Sequence, residues 1–354
     1  MKNSVTLADF RTLEEFNDHE MVIGFTDTAS KLRGYIGIHS TKLGPALGGT
    51  RFITYQSDEE ALKDVLNLSQ AMSYKCALAN LPYGGGKGVM VLDKNMLRDE
   101  ALAAYGRFVE NLHGLFKTGT DVGISDQDVS LMGEHTQHML GLTEADRSGL
   151  STSNCAALGV FYAMKSALIE LDKTDNFAGK RVAIKGIGKL GGELARLLDE
   201  AGAEIIASDV DTKALREFTK RLPKAKVVET RDIHKQVVDI YAPCALGNEF
   251  TDVVISELNT RAIVGGANNQ LPTQAAGDKL FAQGILYAPD YVVNSGGLIY
   301  VADELEPGGF NKQRVLERTK AIQDTATDIF IRAKQENLPT HAIADTIARE
   351  RIQK

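Results

Sequence analysis

The chain has 354 residues, with 40 basic and 47 acidic side chains and a formal net charge of −7. This length is typical of two domains, because a single hydrophobic core rarely grows beyond about 250–300 residues. The acidic balance argues against nucleic acid or an anionic membrane surface as the main partner.

Three cysteines, Cys76, Cys155 and Cys244, show no C-x-x-C spacing and cannot all pair within one chain. We therefore expect neither a disulfide framework nor a metal site. The first residues lack the apolar run of a signal peptide, and no stretch approaches the roughly 18 apolar residues of a membrane helix. We expect a cytoplasmic protein.

The first 150 residues contain a short apolar run at 35–38 and one well-marked helix. Residues 57–60 (SDEE) have the pattern of a capping box, with a hydroxyl for free backbone N–H groups and a carboxylate three residues later. Ala61, Val65, Leu68 and Met72 follow at helical spacing, which predicts a helix that ends near Tyr74.

From about residue 158 the pattern changes to short apolar strands that alternate with helices. Near-continuous apolar strands in this order are typical of a parallel, doubly wound sheet. We predict an α/β protein with a substrate-binding and catalytic domain at 1–150 and a Rossmann-type domain at 151–325. Helices within 326–354 could return to the first domain. The predicted segments are helices at 160–171, 191–202 and 314–352, a turn at 176–180, and strands at 181–185, 204–208, 237–241 and 262–264.

The segment 186–191 (GIGKLG) has the dinucleotide-binding pattern G-x-G-x-x-G, directly after a predicted strand and at the start of a helix. Gly186 permits a tight turn, Gly188 lets the backbone approach a pyrophosphate, and Gly191 allows close packing of helix and strand. Lys189 and Leu190 complete the motif at the helix N-terminus, whose free N–H groups favour phosphate.

Asp209 ends the next strand, near the expected distance for the acid that binds ribose hydroxyls. Asp211 adds a second negative charge, and we expect no arginine close by. A 2′-phosphate would be repelled there, so we predict NAD rather than NADP as the cofactor.

Lys75 follows the capped helix, and Lys87 stands in a glycine-rich loop at 84–88 (GGGKG). The loop is not a Walker A motif, because Leu81 and Gly88 occupy positions that need glycine and Ser or Thr. A lysine in a water-poor pocket suits acid–base work, whereas a lysine at a helix end or in an exposed loop needs no chemical role. Spacing alone leaves both interpretations open.

Several short motifs occur in order along the chain. They are residues 43–51 (LGPALGGTR), 74–75 (YK), 84–87 (GGGK), 121–123 (DVG), 242–247 (APCALG), 268–271 (NNQL) and 294–297 (NSGG). Together they resemble the amino-acid dehydrogenases of the glutamate/leucine/phenylalanine/valine family. The resemblance covers about residues 37–304, and the chain length fits the leucine and phenylalanine branch.

The resemblance implies NAD-dependent, reversible oxidative deamination of an L-amino acid to a 2-oxo acid and ammonia. Lys75 would hold the substrate α-carboxylate, Lys87 would be the general base and acid, and Asp121 would assist proton transfer. Asn269 and Asn294 would orient the amino group or the cofactor. The resemblance further assigns Gly48 to substrate binding and Ala242, Pro243, Cys244 and Ala267, with Asn269, to cofactor binding.

Alignment to the family places Leu47, Gly119, Leu298 and Val301 around the substrate side chain. All are apolar, so glutamate should be a poor substrate. Glycine and leucine at 119 and 298 resemble phenylalanine dehydrogenases, whereas leucine dehydrogenases typically have alanine and valine. We expect phenylalanine to be preferred; a leucine, valine or tryptophan enzyme is the alternative.

One position departs from the family pattern. Where the family usually has a threonine that contacts the nicotinamide amide, this chain has Ala156, so either the backbone or Ser153 and Asn154 could take over that contact. A non-catalytic sensor of NAD or amino acids is the alternative from another class. Loss of Lys75, Lys87 or Asp121 would have favoured it, and all three are present. By resemblance we also expect a homo-oligomer, and no metal.

Overall fold

The computed structural model describes residues 10–141 and 149–353. The chain forms two compact units, one of Met1–Ala145 with Ala348–Lys354 and one of Asp146–Ile347. The residues with which we excluded a signal peptide begin outside the described part. Our domain boundary at 150 stays a prediction, because it falls beside residues 142–148, which are also outside it.

The first unit contains a mixed sheet in the order β1-β2-β5-β3-β6, with β4 also paired to β5, among the described residues. The pair β1–β2 and the pair β2–β5 are antiparallel, whereas β3 and β4 run parallel to β5. The strands are β1 (Met21–Asp27), β2 (Leu32–Ser40), β3 (Ala46–Leu47), β4 (Thr50–Ile53), β5 (Gly84–Val91) and β6 (Phe116–Lys117).

Helices cover both faces of this sheet. On one face, Val65 of helix α1 (Asp58–Leu78) packs with Val89 of β5. On the other face, helices α2 (Arg98–Glu110) and α3 (Asp126–Gly133) bury Leu102 and Met132 against Ile36 of β2. Strand side chains alternate between the two faces, so β2, β4 and β5 contribute to both cores.

Helix α1 begins as predicted but ends later. The Ser57 side chain accepts a hydrogen bond from the Glu60 N–H at 3.1 Å, while the Glu60 carboxylate accepts from Gln56 instead of Ser57. Half of the capping box therefore forms. The helix continues past Tyr74 to Leu78, because its last turn is apolar and buried.

The predicted glycine-rich loop at 84–88 is wrong, because these residues form most of the buried strand β5. A Cβ added to Gly85 would lie 2.0 Å from the backbone nitrogen of Ser73 in α1. A Cβ on Gly84 would lie 1.9 Å from the carbonyl oxygen of Ser40 in β2. Glycine is needed here because neighbouring backbones approach closely, which is its use in strand interiors.

The second unit contains a parallel sheet in the order β12-β11-β10-β7-β8-β9 among the described residues. Strands β8 and β9 follow on one side of β7, and the chain then returns to place β10, β11 and β12 on the other side of β7. The sheet is therefore doubly wound. The strands are β7 (Arg181–Lys185), β8 (Glu204–Ser208), β9 (Lys226–Val227), β10 (Val238–Pro243), β11 (Thr260–Ile263) and β12 (Leu286–Tyr287).

The predicted strands at 181–185 and 204–208 are confirmed to the residue, and the later two are shifted by one or two residues. The helix predicted at 160–171 begins earlier, because Ser151 caps it through the N–H of Asn154 at 3.2 Å. The helices that follow α3 along the chain are α4 (Thr152–Asp172), α5 (Lys189–Glu200), α6 (Thr212–Arg221), α7 (Asp252–Glu257), α8 (Gln274–Ala282), α9 (Asp290–Val293) and α10 (Gly296–Ala302).

The predicted helical stretch at 314–352 is divided into α11 (Lys312–Lys320), α12 (Ile322–Glu336) and α13 (Thr340–Gln353). The break after α12 follows from Asn337, which adopts a left-handed conformation with φ of 54°, and from Pro339. Within residues 326–354, Ala348–Lys354 belongs to the first unit and the residues before it to the second.

The α/β fold class with a Rossmann-type sheet is confirmed. Within the part of the chain that the structure describes, no helix has both the length and the apolar character that crossing a membrane requires.

Candidate active site

Lys87 lies inside the first unit and is 5% exposed. Its Nζ contacts Oδ2 of Asp121, which stands in the loop after β6. The other oxygen of that carboxylate, Oδ1, accepts a hydrogen bond from the N–H of Val122 at 2.6 Å. The interpretation of Lys87 as an exposed loop lysine is therefore wrong, because the residue belongs to a buried strand.

The surroundings of Asp121 keep its carboxylate ionised. Burial alone would raise its pKa, but the charge and hydrogen bond of Lys87, the N–H of Val122 and the charge of Arg51 together lower the pKa below the usual value. An amine and a carboxylate in contact can pass a proton to each other or to a bound molecule. The pair can therefore serve as base and acid.

Two paired chain segments bring Leu47, Gly48 and Gly119 side by side. Strand β3, which contains Leu47, runs parallel to β6, and the N–H of Thr50 donates to the carbonyl oxygen of Gly119 at 3.0 Å. A Cβ on Gly48 would lie 1.9 Å from the carbonyl oxygen of Gly86, so glycine is required beside β5. These predicted substrate positions share one sheet edge with the Asp121 loop.

Gly119 is buried, and its Cα faces Leu140. An added Cβ at Gly119 would lie 3.0 Å from the Leu140 carbonyl oxygen and 3.4 Å from its Cβ. An alanine here would therefore press on the Leu140 backbone.

Lys75 lies in the last turn of α1 and is half-buried. Its helix packs directly on β5, the strand that carries Lys87, through the close approach of Ser73 described above. The neighbouring Tyr74 hydroxyl accepts hydrogen bonds from Gln70 at 3.3 Å and Arg349 at 3.4 Å. The helix end is thus held firmly, while the predicted role of Lys75 stays a prediction.

In the second unit, residues 186–191 form the predicted turn between β7 and α5. Gly186 has a φ of +92°, which favours glycine, and a Cβ on Gly191 would lie 1.9 Å from the Gly186 carbonyl oxygen. An added Cβ at Gly188 meets nothing within 4 Å, so the backbone there is open to a ligand. Lys189 and Leu190 begin α5, whose N-terminus faces the same opening.

Asp209 follows β8 and lies against this turn. Its Oδ2 accepts a hydrogen bond from the Ile187 N–H at 2.7 Å, and its Oδ1 accepts from the Asp211 N–H at 2.9 Å. Asp211 caps α6 through the N–H groups of Lys213 and Ala214, and these bonds lower its pKa.

The expectation that these acids have no arginine nearby is wrong. The charge of Arg216 contributes, after those hydrogen bonds and the charge of Lys213, to the lowered pKa of Asp211.

The end of β10 runs beside the glycine turn. The N–H of Cys244 donates to the Lys185 carbonyl oxygen at 2.8 Å, and the N–H of Ala267 donates to that of Pro243 at 3.0 Å. Ala242 is fully buried in the strand itself. Burial raises the pKa of the Cys244 thiol to about 12, so the thiol is protonated at neutral pH and unreactive.

Two asparagines lie at the same edge of the parallel sheet. The buried Asn294 donates through Nδ2 to Oδ1 of Asn268 at 2.7 Å and to the Gly266 carbonyl oxygen at 3.3 Å. Asn269 has a left-handed backbone with φ of 53°, and its N–H donates to the buried Asp290 at 2.8 Å. The Asn294 amide is fixed by these two hydrogen bonds, which suits the orientation of a bound ligand.

Leu298 and Val301 lie on α10 in the second unit, and each is partly exposed. This helix packs on α4, where a Cβ on Gly297 would lie 3.8 Å from the Ala156 Cβ. The Asn154 side chain accepts a hydrogen bond from the Ser151 hydroxyl at 2.6 Å. A cavity of about 680 Å³ in the same unit is lined by residues that include Ser151, Ser153, Asn154, Gly188 and Lys189.

No group of three or more His, Cys, Asp or Glu side chains that could hold a metal ion occurs within residues 10–141 and 149–353.

Comparison with known families agrees with this geometry. Residues 19–140 match the model for the dimerisation domain of Glu/Leu/Phe/Val dehydrogenases, and residues 148–212 and 209–354 match the Glutamate/Leucine/Phenylalanine/Valine dehydrogenase model. The chain belongs to the Glu/Leu/Phe/Val dehydrogenase family. The resemblance inferred from the motifs is therefore confirmed.

Similar proteins of this family include enzymes named for different amino acids. The chain is 44% identical to a phenylalanine dehydrogenase of Thermoactinomyces intermedius, over 95% of this chain and 92% of that one. It is 40% identical to a leucine dehydrogenase of Geobacillus stearothermophilus, over 97% and 93%. The crystal structure of an L-tryptophan dehydrogenase from Nostoc punctiforme superimposes with a TM-score of 0.86 at 38% identity, over 95% and 96%.

These findings make the chain an amino-acid dehydrogenase, an oxidoreductase of a pyridine-nucleotide-dependent family. The same comparisons leave several amino acids as possible substrates.

Several supporting residues were missed from the sequence. Arg51 was noted only as part of a motif, yet it contacts Asp121. Asp64, which holds Arg51, and Asp290, which holds Asn269, belong to no motif that we recognised. Arg51 and Asp121 are 70 residues apart, and no spacing in the sequence predicts their contact.

Proposed function

We propose that this dehydrogenase catalyses the NAD-dependent, reversible oxidative deamination of an L-amino acid, preferably phenylalanine, to the 2-oxo acid, ammonia and NADH. The observation that carries the proposal is the contact between the Lys87 ammonium and the Asp121 carboxylate inside the first unit. Oxidation of an amine requires removal of a proton from nitrogen, and this pair supplies the groups that can accept it.

When bound, NAD supplies the acceptor for the hydride that leaves the substrate Cα. The hydride leaves only when the nitrogen lone pair can form the C=N bond, so the substrate ammonium must first lose a proton. In our proposal Asp121 accepts this proton, while Lys75 holds the α-carboxylate and Asn269 and Asn294 orient the reacting groups.

The resulting imine is then hydrolysed. Lys87, in its neutral form, takes a proton from the water that adds to the imine carbon, and passes this proton to the nitrogen. The C–N bond then breaks and ammonia leaves, while the new hydroxyl group gives its own proton to Lys87 and becomes the carbonyl of the 2-oxo acid. The sum is amino acid zwitterion, NAD and water on one side, and 2-oxo acid, ammonium, NADH and one proton on the other. The reverse sequence gives reductive amination.

The second unit has residues that fit a dinucleotide. The backbone at Gly188 is open, and the α5 N-terminus offers free N–H groups to a pyrophosphate. The Asp209 carboxylate, fixed by Ile187, would accept hydrogen bonds from ribose hydroxyls and repel a 2′-phosphate. Ala242, Pro243, Cys244 and Ala267 would line the same side.

The substrate preference rests on the predicted pocket positions. Leu47 is buried, Gly119 has no side chain, and Leu298 and Val301 add apolar surface in the second unit. A γ-carboxylate would lose its hydration against such surfaces. Glycine at 119 and leucine at 298 resemble phenylalanine dehydrogenases, which favours phenylalanine over leucine, valine and tryptophan.

The test is a comparison of kcat/KM for phenylalanine, tryptophan, leucine, valine and glutamate, from NADH formation at alkaline pH. We expect phenylalanine to be first and glutamate last. A value for leucine or valine about tenfold above both aromatic amino acids would contradict the aromatic preference and leave the dehydrogenase assignment intact. Absence of turnover with every amino acid, together with NADH binding, would favour a non-catalytic sensor.

We also propose that the chain forms a homo-oligomer, since its first unit matches a family model named for dimerisation. Light scattering after size-exclusion chromatography measures the subunit number, and a monomeric mass would contradict this. The cytoplasm is the location we propose, because three free thiols suit a reducing compartment.

A further inference from the structure

Asp121 has a second charged neighbour besides Lys87. The Nε of Arg51, on strand β4, lies 3.4 Å from Oδ1 of Asp121, the oxygen that also accepts the Val122 N–H. The two oxygens of Asp121 therefore have different partners: Oδ1 faces Arg51 and the backbone, and Oδ2 faces Lys87. The carboxylate plane is fixed from both sides.

Arg51 is itself held in place. Its Nη1 donates to both oxygens of Asp64 on helix α1, at 3.1 Å and 2.9 Å. The Tyr55 hydroxyl donates to Oδ2 of the same carboxylate at 2.5 Å. The Arg51 side chain is 20% exposed and that of Asp64 is 24% exposed, so water only partly screens their charges.

These contacts form a continuous network, which we call the Arg51 network: Tyr55, Asp64, Arg51, Asp121 and Lys87. Its charges alternate along the chain of contacts, with Asp64 and Asp121 negative and Arg51 and Lys87 positive. Burial alone would lower the pKa of Arg51, but Asp64 and Asp121 outweigh it and raise the pKa. Arg51 is thus a permanent positive charge beside the proposed acid–base pair.

We propose that Arg51, anchored by Asp64 and Tyr55, is the positioning residue for Asp121 and sets the pH at which the Lys87–Asp121 pair releases its proton. This inference rests on the proposed function of that pair. Arg51 makes its contact on the side of Asp121 away from Lys87, so it acts through Asp121.

The sign of the effect follows from charge. A positive neighbour makes a pair of interacting groups give up its shared proton more readily, and a negative neighbour makes it hold that proton. Removal of the Arg51 charge should therefore move the acid limb of the deamination profile to higher pH. Removal of the Asp64 charge should move the limb to lower pH.

The experiment measures kcat, kcat/KM for deamination and the acid limb of the pH profile for the full-length enzyme and five variants. Arg51→Gln should lower kcat about tenfold or more and raise the limb by about one pH unit. Asp64→Asn should lower kcat less and shift the limb downward. Arg51→Lys keeps the charge but loses the planar fork, so kcat should fall while the limb stays near that of the wild type.

Two further variants serve as controls. Tyr55→Phe leaves every charge in place, so kcat should fall a few-fold with an unmoved limb. Arg33→Gln removes an exposed arginine of the same unit that pairs with Asp58, and should change neither quantity. Melting temperature and NADH binding report folding. If Arg51→Gln does not fold, the other two variants still test the inference. The acid limb should shift to lower pH in Asp64→Asn and should stay unmoved in Tyr55→Phe.

An unmoved limb in Arg51→Gln, or equal shifts in Arg51→Gln and Asp64→Asn, would overturn the inference. Either result requires a wild type that oxidises amino acids. A wild type that produces no NADH from any amino acid would overturn the proposed function instead, so the two failures are distinguishable.

Discussion

The carboxylate of Asp209 accepts a hydrogen bond from the backbone N–H of Ile187 at 2.7 Å, which joins the end of β8 to the glycine turn after β7. Asp209, the residue proposed to bind the ribose hydroxyls, is therefore fixed against the turn proposed to bind the pyrophosphate. Its orientation does not depend on a bound ligand. A 2′-phosphate would meet a fixed negative charge, and a ribose hydroxyl would meet a fixed acceptor.

We predict a strong preference for NAD over NADP that depends on Asp209. Asp209→Ala should lower the ratio of kcat/KM with NAD to that with NADP by about tenfold or more, since charge repulsion is worth several kcal/mol. Asp211→Ser is the matched control, because serine can still cap α6. If Asp209→Ala and Asp211→Ser lower the NAD to NADP ratio equally, the preference for NAD depends on the net negative charge near these residues. It then does not depend on the position of Asp209 itself.

The sequence alone predicted those parts of the fold whose signal lies within a short stretch of residues. Strands β7 and β8 were found to the residue because each is a short apolar run, buried between helices. The glycine run at 84–88 was misjudged, because glycine is typical of loops unless another backbone lies against it. The backbone that lies against Gly85 is that of Ser73 in helix α1, and no sequence pattern links these two residues.

The candidate site was predictable to a similar extent. Motifs named Lys87 and Asp121, and the structure brings these two together. The support for them, Arg51 and Asp64, was not found, because an ion pair between a strand and a helix depends on how the two elements pack. Residue type alone carries no information about that packing.

We predict that Lys87→Ala abolishes deamination and leaves NAD binding within a few-fold of the wild type. The lysine belongs to the first unit and the glycine turn to the second, so loss of the base should not disturb the dinucleotide site. Lys94→Ala, which changes an exposed lysine shortly after β5, is the matched control. Turnover of Lys87→Ala near that of this control would exclude Lys87 as the base.

Acid should destabilise the first unit through His39. Burial, followed by the charge of His19, lowers the pKa of His39 to about 4 from 6.5, against weaker opposing effects of Asn17, Glu20 and Asp18. The folded chain thus binds this proton less tightly than the unfolded chain. Below pH 6.5 the unfolded chain takes up a proton that the folded chain does not, so stability falls until about pH 4.

The loss attributable to His39 should be on the order of 3 kcal/mol between those two pH values. Denaturant unfolding at pH 7, 5.5 and 4 measures it. His39→Asn should flatten the dependence, whereas His113→Asn, at an exposed position with a left-handed backbone that asparagine tolerates, should leave it unchanged. Equal slopes in the wild type and His39→Asn would show that other groups cause the acid sensitivity.

The last prediction concerns the wall of the pocket at Gly119. An alanine methyl there would lie 3.0 Å from the Leu140 carbonyl oxygen, a distance at which the neighbour must move by a few tenths of an ångström. The methyl therefore both fills space and shifts the Leu140 backbone. We expect Gly119→Ala to lower kcat/KM for phenylalanine more than for leucine, so that their ratio falls about tenfold, the usual value of one methyl group in an apolar pocket. Leu298→Val changes a position on α10 in the second unit and serves as the comparison variant. Because valine is smaller than leucine, this substitution should not exclude an aromatic ring.

Assays of both variants with phenylalanine and leucine show which of the two positions changes the ratio of kcat/KM. If the wild type prefers phenylalanine and Gly119→Ala keeps the same ratio, Gly119 serves only the backbone pairing with Thr50, and aromatic preference must originate elsewhere in the chain.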